Sequence, residues 1–289
     1  MGIPYNYGVL LKPKVLIAML AIYTASFLSS HITLDIEPVN MSTYLMGLIA
    51  VSAAISGANS LNCYIDRDID PLMVRTWGRP LSLGTIEPIE ALTFSGILLT
   101  IASVISLYIG VIPFILFLEG AGSYIILYTM FLKRRTMLNV LATAPSVAAP
   151  AWFGWYLGGT PLYPVGLIMG FLVAIWGPLH LWTLAYTYSK DYRRVSVPML
   201  TTVLSQEQAS RGIITTLLIL ISSSYLLIPW TASPAYAIFV SITNMPMLII
   251  GLKFFCRGTP HAGWWLFKLT APYIIVVQFS FMFDKLLFI

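Results

Sequence analysis

An all-α bundle of membrane-spanning helices is the fold this sequence predicts, and three observations predict it. Only 9% of the 289 residues are charged and 58% are hydrophobic, with a mean hydropathy of +0.85. A soluble domain carries about 25% charged residues. About nine apolar runs each approach the roughly 20 residues that a spanning helix needs. Eight Trp and sixteen Tyr suit the aromatic belts at membrane interfaces.

The elements follow in order. The opening M-G-I-P-Y-N-Y-G has neither a cleavable signal nor an Arg/Ser-rich transit character, and Asn6 breaks the myristoylation pattern. Helices are then expected at 14–34, 40–64, 88–109, 111–132, 137–158, 163–188, 208–229, 233–255 and 262–287. Short Gly/Pro turns such as G-G-T-P-L and T-A-S-P separate several of them. No linker, low-complexity tract or soluble insertion interrupts the pattern, so a single domain over residues 1–289 is expected. Fourteen of the sixteen Lys and Arg fall before the first helix, in alternate connections, or in the end turns of the helices that border them. Lys268 can snorkel to that same side, and Lys285 lies opposite. The asymmetry predicts a cell-membrane protein with N-terminus and polar loops in the cytoplasm and, after nine spans, the C-terminus outside. That distribution also argues against nucleic acid as the reason for a pI near 9.1. Cys63 and Cys256 offer no disulfide framework or metal spacing and are expected to be reduced and passive.

The second helix ends in N-C-Y-I-D-R-D-I-D. Four residues advance about 400° around a helix, so Asn62, Asp66 and Asp70 share a face while Asp68 does not. Carboxylates at a bilayer edge are costly unless cations meet them. Two carboxylates beside an amide oxygen suit Mg²⁺, which binds through one or two carboxylates plus substrate phosphates. Arg75 and Arg79, in the following R-T-W-G-R-P, are placed to grip such phosphates. The plainer reading pairs the carboxylates with these arginines. Lys133, Arg134 and Arg135 form a basic cluster that topology alone would also produce. Asp191, in S-K-D-Y-R-R, either serves a second ion or pairs with Arg193 or Arg194.

His180 lies inside the sixth helix in W-G-P-L-H-L-W, where Pro178 is expected to kink the helix and free a backbone carbonyl. Alone it reads as a packing residue, a haem ligand or a proton-transfer group. Glu119 is the other intramembrane ionisable group, with no evident partner in the sequence. His31 and His261 fall near segment ends.

The stretch N-C-Y-I-D-R-D-I-D-P-L-M-V-R-T-W-G-R-P-L resembles the first aspartate-rich motif of the UbiA superfamily of intramembrane prenyltransferases. Its D-R-D-I-D-x-L-M-x-R-T form is similar to the branch that farnesylates protohaem IX. Y-T-M-F-L-K-R-R-T with Asn139 soon after, P-L-H-L-W-T-L-A and K-D-Y-R-R-V-S-V-P-M-L point the same way, so the resemblance covers about residues 55–205. It implies a nine-helix UbiA-type bundle around a central cavity, with farnesyl diphosphate and haem B as substrates and Mg²⁺ assisting. The product implied is haem O, passed to haem A synthase or a terminal oxidase. Asn62, Asp66, Asp70 and Asp191 would then be catalytic and metal-binding. Arg75, Arg79, Lys133 and Arg134 would bind diphosphate, and His180 would contact haem. Two departures stand out: Thr187 occupies a second-motif carboxylate position, and Leu179 and Lys190 replace a Pro and an acidic residue common in the haem branch. The chemistry expected is loss of diphosphate to give an allylic cation, which Tyr64, Tyr128, Trp182 or Tyr186 could face. The rival readings are the same transfer onto a quinone precursor, aromatic acid or glycerol-phosphate acceptor, and a transporter of anionic substrate.

Overall fold

The structure, a computed structural model, describes residues 3–33, 40–159 and 164–288. The connection after the first spanning helix and most of the G-G-T-P-L turn lie outside the described residues. A short α1 (Ile3–Leu10) precedes α2 (Pro13–Thr33), α3 (Met41–Ile65), α4 (Pro88–Ile109) and α5 (Val111–Gly122), which continues as a π-wound stretch over Ser123–Leu132. A 3₁₀ turn at Asn139–Thr143 leads into α6 (Ala144–Leu157), followed by α7 (Pro164–Thr187). Two short helices, α8 (Ser189–Arg194) and α9 (Leu200–Val203), fill the next connection. The chain closes with α10 (Gln206–Ser224), α11 (Ala235–Arg257) and α12 (Pro260–Phe288).

Nine spanning segments therefore stand among the described residues where the sequence predicts them. Eight are long and apolar enough as continuous helices to cross a membrane. The exception is the fifth, which is divided between the 3₁₀ turn and the 14 residues of α6. This is a multi-pass membrane protein.

Why the helices pack is visible in the sequence. The small residues of G-W-Y-L-G let α6 lie against α2: a Cβ at Gly154 would overlap the Tyr23 carbonyl, and one at Gly158 the Phe27 carbonyl. Small residues four apart allow close approach where lipid supplies no hydrophobic drive. The Tyr23 hydroxyl donates to the Tyr44 carbonyl at 2.9 Å and ties α2 to α3. On the other side, Tyr273 donates to Asn244 Oδ1 at 2.8 Å, and Asn244 Nδ2 donates to Ser224 Oγ at 3.1 Å, joining α12, α11 and α10. Asp284 accepts from Ala232 N and Ser233 Oγ, both at 2.6 Å, and pins the T-A-S-P turn to the far end of α12. The most buried spanning helix is α7, whose Leu172, Val173 and Leu179 are fully enclosed. It runs unbroken through Pro178.

At the basic end the connections brace one another. Tyr186 at the end of α7 donates to the Gly258 carbonyl before α12 at 2.7 Å. Asn139 Nδ2 donates to the Lys133 carbonyl at 3.1 Å and to the Pro198 carbonyl at 2.8 Å, which joins two loops. Arg194 reaches the Leu72 carbonyl at 3.2 Å.

Candidate active site

A cavity of about 940 Å³ opens within the bundle. Asn62, Asp66, Asp70, Arg75, Arg79 and Lys133 line it, and so does His180. Helix α3 stops at Ile65, earlier than the triad's spacing suggests, with Asp66 as its C-cap. The four-residue register nevertheless survives in the backbone. Asp66 N donates to Asn62 O at 3.0 Å, and Asp70 N donates to Asp66 O at 2.9 Å. Pro71 sits in the first turn of a 3₁₀ helix, Asp70–Leu72, and the backbone becomes extended at Met73.

Each carboxylate of the triad has a cation. Lys133 pairs with Asp66, and Arg79 with Asp70. Asn62 donates from Nδ2 to Asp66 at 2.8 Å, and its Oδ1 accepts from Lys12 at 3.0 Å. Lys12 precedes α2 with a left-handed φ of 51°, which swings it away from the helix that follows. Burial lowers its ammonium pKa to about 8. The Arg79 pKa is raised by neighbouring Cys63 and by Asp70 despite burial.

Lys133 reaches the cluster because of the π winding before it. Five residues of α-helix turn through about 500° and would leave Lys133 about 140° from Tyr128. Instead Lys133 N bonds the Tyr128 carbonyl at 2.8 Å, a five-residue span. Tyr124, Tyr128 and Lys133 thus line one cavity wall. The two tyrosine rings stack at 5.8 Å.

The His180 ring is held from three sides. Trp176 stacks on it at 4.9 Å and Phe267 lies at 4.4 Å. Its Nδ1 lies 2.7 Å from Thr270 Oγ1. That hydroxyl already donates its single hydrogen to the Phe267 carbonyl at 2.7 Å. We therefore assign the proton of this bond to Nδ1, which leaves Nε2 with a free lone pair.

The UbiA prenyltransferase family model matches residues 16–276. The chain belongs to this family. Among relatives of this UbiA-family prenyltransferase, the Protoheme IX farnesyltransferase of Desulforudis audaxviator (strain MP104C) is 32% identical over 86% of this chain and 79% of its own. Protoheme IX farnesyltransferase 1 of Cenarchaeum symbiosum (strain A) is 30% identical over 92% and 90%. Protoheme IX farnesyltransferase 1 of Picrophilus torridus is 35% identical over 78% and 76%. Solved structures share the fold at lower identity. Digeranylgeranylglyceryl phosphate synthase gives a TM-score of 0.78 at 17% identity, over 99% of both chains. A UbiA homolog from Archaeoglobus fulgidus bound to DMAPP and Mg²⁺ gives 0.72 at 15% identity, over 94% of this chain and 99% of that one.

Within this UbiA-family enzyme the sequence-predicted residues do not all converge. Asp191 is buried, but its carboxylate accepts from Arg75 N at 3.1 Å and is absent from the cavity lining. It pairs with neither Arg193 nor Arg194; Arg193 bonds the Thr201 carbonyl at 3.2 Å. Arg134 also stays outside the cavity. It forms two 2.7 Å bonds with Asp68 and lies 4.0 Å from Asp66. Those bonds lower the Asp68 pKa. Among the described residues no three His, Cys, Asp or Glu side chains gather as a metal cluster. The expected Asn62, Asp66, Asp70 and Asp191 set is thus divided, because Lys133, Arg79 and the Arg75 backbone each claim a carboxylate. Hard-cation chemistry still fits the triad, since Asp66 Oδ1 is buried without a hydrogen-bond partner.

Sequence reasoning missed Lys12, Tyr124 and Thr129. Lys12 entered only as a topology charge, although the Lys-Pro start of a spanning helix was a usable signal. Tyr124 and Thr129 depend on π winding, which residue spacing does not announce; Thr129 accepts from Asn62 at 3.3 Å. Of the aromatic residues considered for the cation, Tyr128 lines the cavity and Tyr64, Trp182 and Tyr186 do not.

Proposed function

We propose that this enzyme transfers a farnesyl group from farnesyl diphosphate to a vinyl group of haem B, giving haem O. The observation that carries the reading is that the Asp66–Asp70 cluster and His180 face one cavity. The names of the relatives supply the acceptor.

In this reading Lys12, Arg75, Arg79 and Lys133 receive the diphosphate and neutralise the charge that grows as its C–O bond breaks. Asn62, Asp66 and Asp70 would hold Mg²⁺, which when bound adds neutralising charge at the departing oxygen. Asp191 positions Arg75 through its backbone and is the further candidate for an ion. Arg134 steadies the loop through Asp68. The stacked Tyr124 and Tyr128 rings face the allylic cation, and the lipid-embedded walls keep bulk water from quenching it. The vinyl π electrons form the new C–C bond. Water adds to the resulting carbocation and loses a proton, completing a hydroxyethylfarnesyl group. His180 Nε2 is the group offered to haem iron. The whole chain acts as one prenyltransferase domain, with its basic end cytoplasmic and its C-terminus outside. Haem O would pass to haem A synthesis or to terminal oxidase assembly.

Purified protein supplied with haem B, farnesyl diphosphate and Mg²⁺ should yield haem O by product mass. Asp66→Ala or Asp70→Ala should lower the rate at least about 100-fold while the protein still inserts. Farnesylation of a quinone precursor, aromatic acid or glycerol phosphate in place of haem B would overturn the acceptor assignment.

A further inference from the structure

The cavity has a second wall whose charge the diphosphate cluster does not explain. Helices α2 and α12 pack together, and Lys14, Val15, Trp264, Phe267 and Lys268 line the cavity from their two sides. Lys14 and Lys268 are both exposed. Among the described residues no carboxylate lies within ion-pair distance of either, and neither makes a side-chain hydrogen bond. The cavity's two acidic residues, Asp66 and Asp70, already carry Lys133 and Arg79. Two unneutralised cations therefore stand on a wall otherwise made of apolar and aromatic groups.

One stretch of α12 joins Lys268 to His180, and Lys14 faces the same cavity from α2. Lys268 Nζ sits 5.1 Å above the Trp264 ring, Phe267 packs on the His180 ring at 4.4 Å, and Thr270 bonds its Nδ1. Lys268 follows Phe267 by one residue, about 100° around the helix and about 1.5 Å along it, and both side chains line the cavity. Aromatic faces, an imidazole with a free lone pair and two cations lining one cavity are complementary to a flat metallo-macrocycle with two carboxylates at one edge.

Building on the haem B reading above, we propose that Lys14 and Lys268 bind the two propionates of the acceptor. They would hold the macrocycle in the α2–α12 wall and help set which vinyl edge faces the Tyr124–Tyr128 side. Charge-assisted bonds of this kind distinguish an acid from its neutral ester.

The test is a titration of the purified full chain in lipid nanodiscs, followed by Soret absorbance, with haem B and with haem B dimethyl ester. The wild-type protein should bind the free acid about tenfold more tightly than the diester. The Lys14→Ala/Lys268→Ala double variant should bind both at the wild-type diester affinity, and retained diester binding shows that its fold is intact. Lys268→Glu should weaken the free acid further and leave the diester unchanged. A double variant that keeps the wild-type preference, or a wild-type protein that does not discriminate, overturns the proposal and leaves these lysines as contacts for lipid headgroups. Haem O production with unchanged discrimination in the variant would remove only the lysine assignment. Failure of the wild-type protein to farnesylate haem B would remove the acceptor reading beneath it.

Discussion

At the scale of single residues, His180 shows what sequence can and cannot assign. Its position inside a spanning helix favours packing over haem ligation or proton transfer, and only the family resemblance turns it towards haem. The Thr270 hydroxyl, ninety positions away, distinguishes its two ring nitrogens. Removing that hydroxyl in Thr270→Val frees the ring to change tautomer. Haem affinity measured by absorbance titration should fall roughly tenfold, the usual scale for losing such a supporting bond. An unchanged spectrum and affinity would show that Nδ1 needs no anchor. Asp191 teaches the converse lesson. A carboxylate two and three residues before two arginines reads as a second ion site or a local ion pair, yet it reaches across 116 residues to a backbone N–H. Backbone donors exposed by an irregular loop have no signature in residue type.

At the scale of elements, the nine spans were legible because apolar length is a composition signal. Their internal winding was not. The π stretch after α5 looks like ordinary apolar helix in sequence, and only the five-residue bonds bring Lys133 beneath Tyr128. The break before α6 was equally hidden, since Asn139–Thr143 continues the apolar run. Close packing by α6 was readable in principle from G-W-Y-L-G. Gly154→Ala would push a methyl group into the Tyr23 carbonyl, a backbone atom that cannot rotate aside. The variant should lose about 2 kcal/mol, measured as a lower unfolding temperature in detergent. Gly122→Ala is the control, because a Cβ there meets nothing within 4 Å.

At the scale of the whole molecule, charge asymmetry predicts which end faces the cytoplasm, and that end carries the Asp66–Asp70 cluster. Arg67 is exposed on the connection after α3, and among the described residues its side chain bonds the Tyr64 carbonyl at 2.7 Å and lies over the Tyr64 ring. An Arg67→Cys variant in a Cys256→Ala background should react with a membrane-impermeant maleimide in inside-out vesicles and resist it in intact cells. The opposite pattern would invert the topology. The cavity was expected from resemblance, and Asn62, Asp66, Asp70, Arg75, Arg79, Lys133 and His180 all line it, but Lys12 and Tyr124 were not foreseen there. Residue spacing along α3 could not reveal that Lys12, fifty positions earlier, closes the cluster. The single chamber also sets the timing of turnover. With the Asp66 cluster and His180 looking into the same space, the prenyl donor and its acceptor must be resident together before any bond breaks usefully. Initial-rate lines at several acceptor concentrations should therefore intersect rather than run parallel, the kinetic mark of a ternary complex. A donor bound alone would wait, uncommitted, in a room built for two.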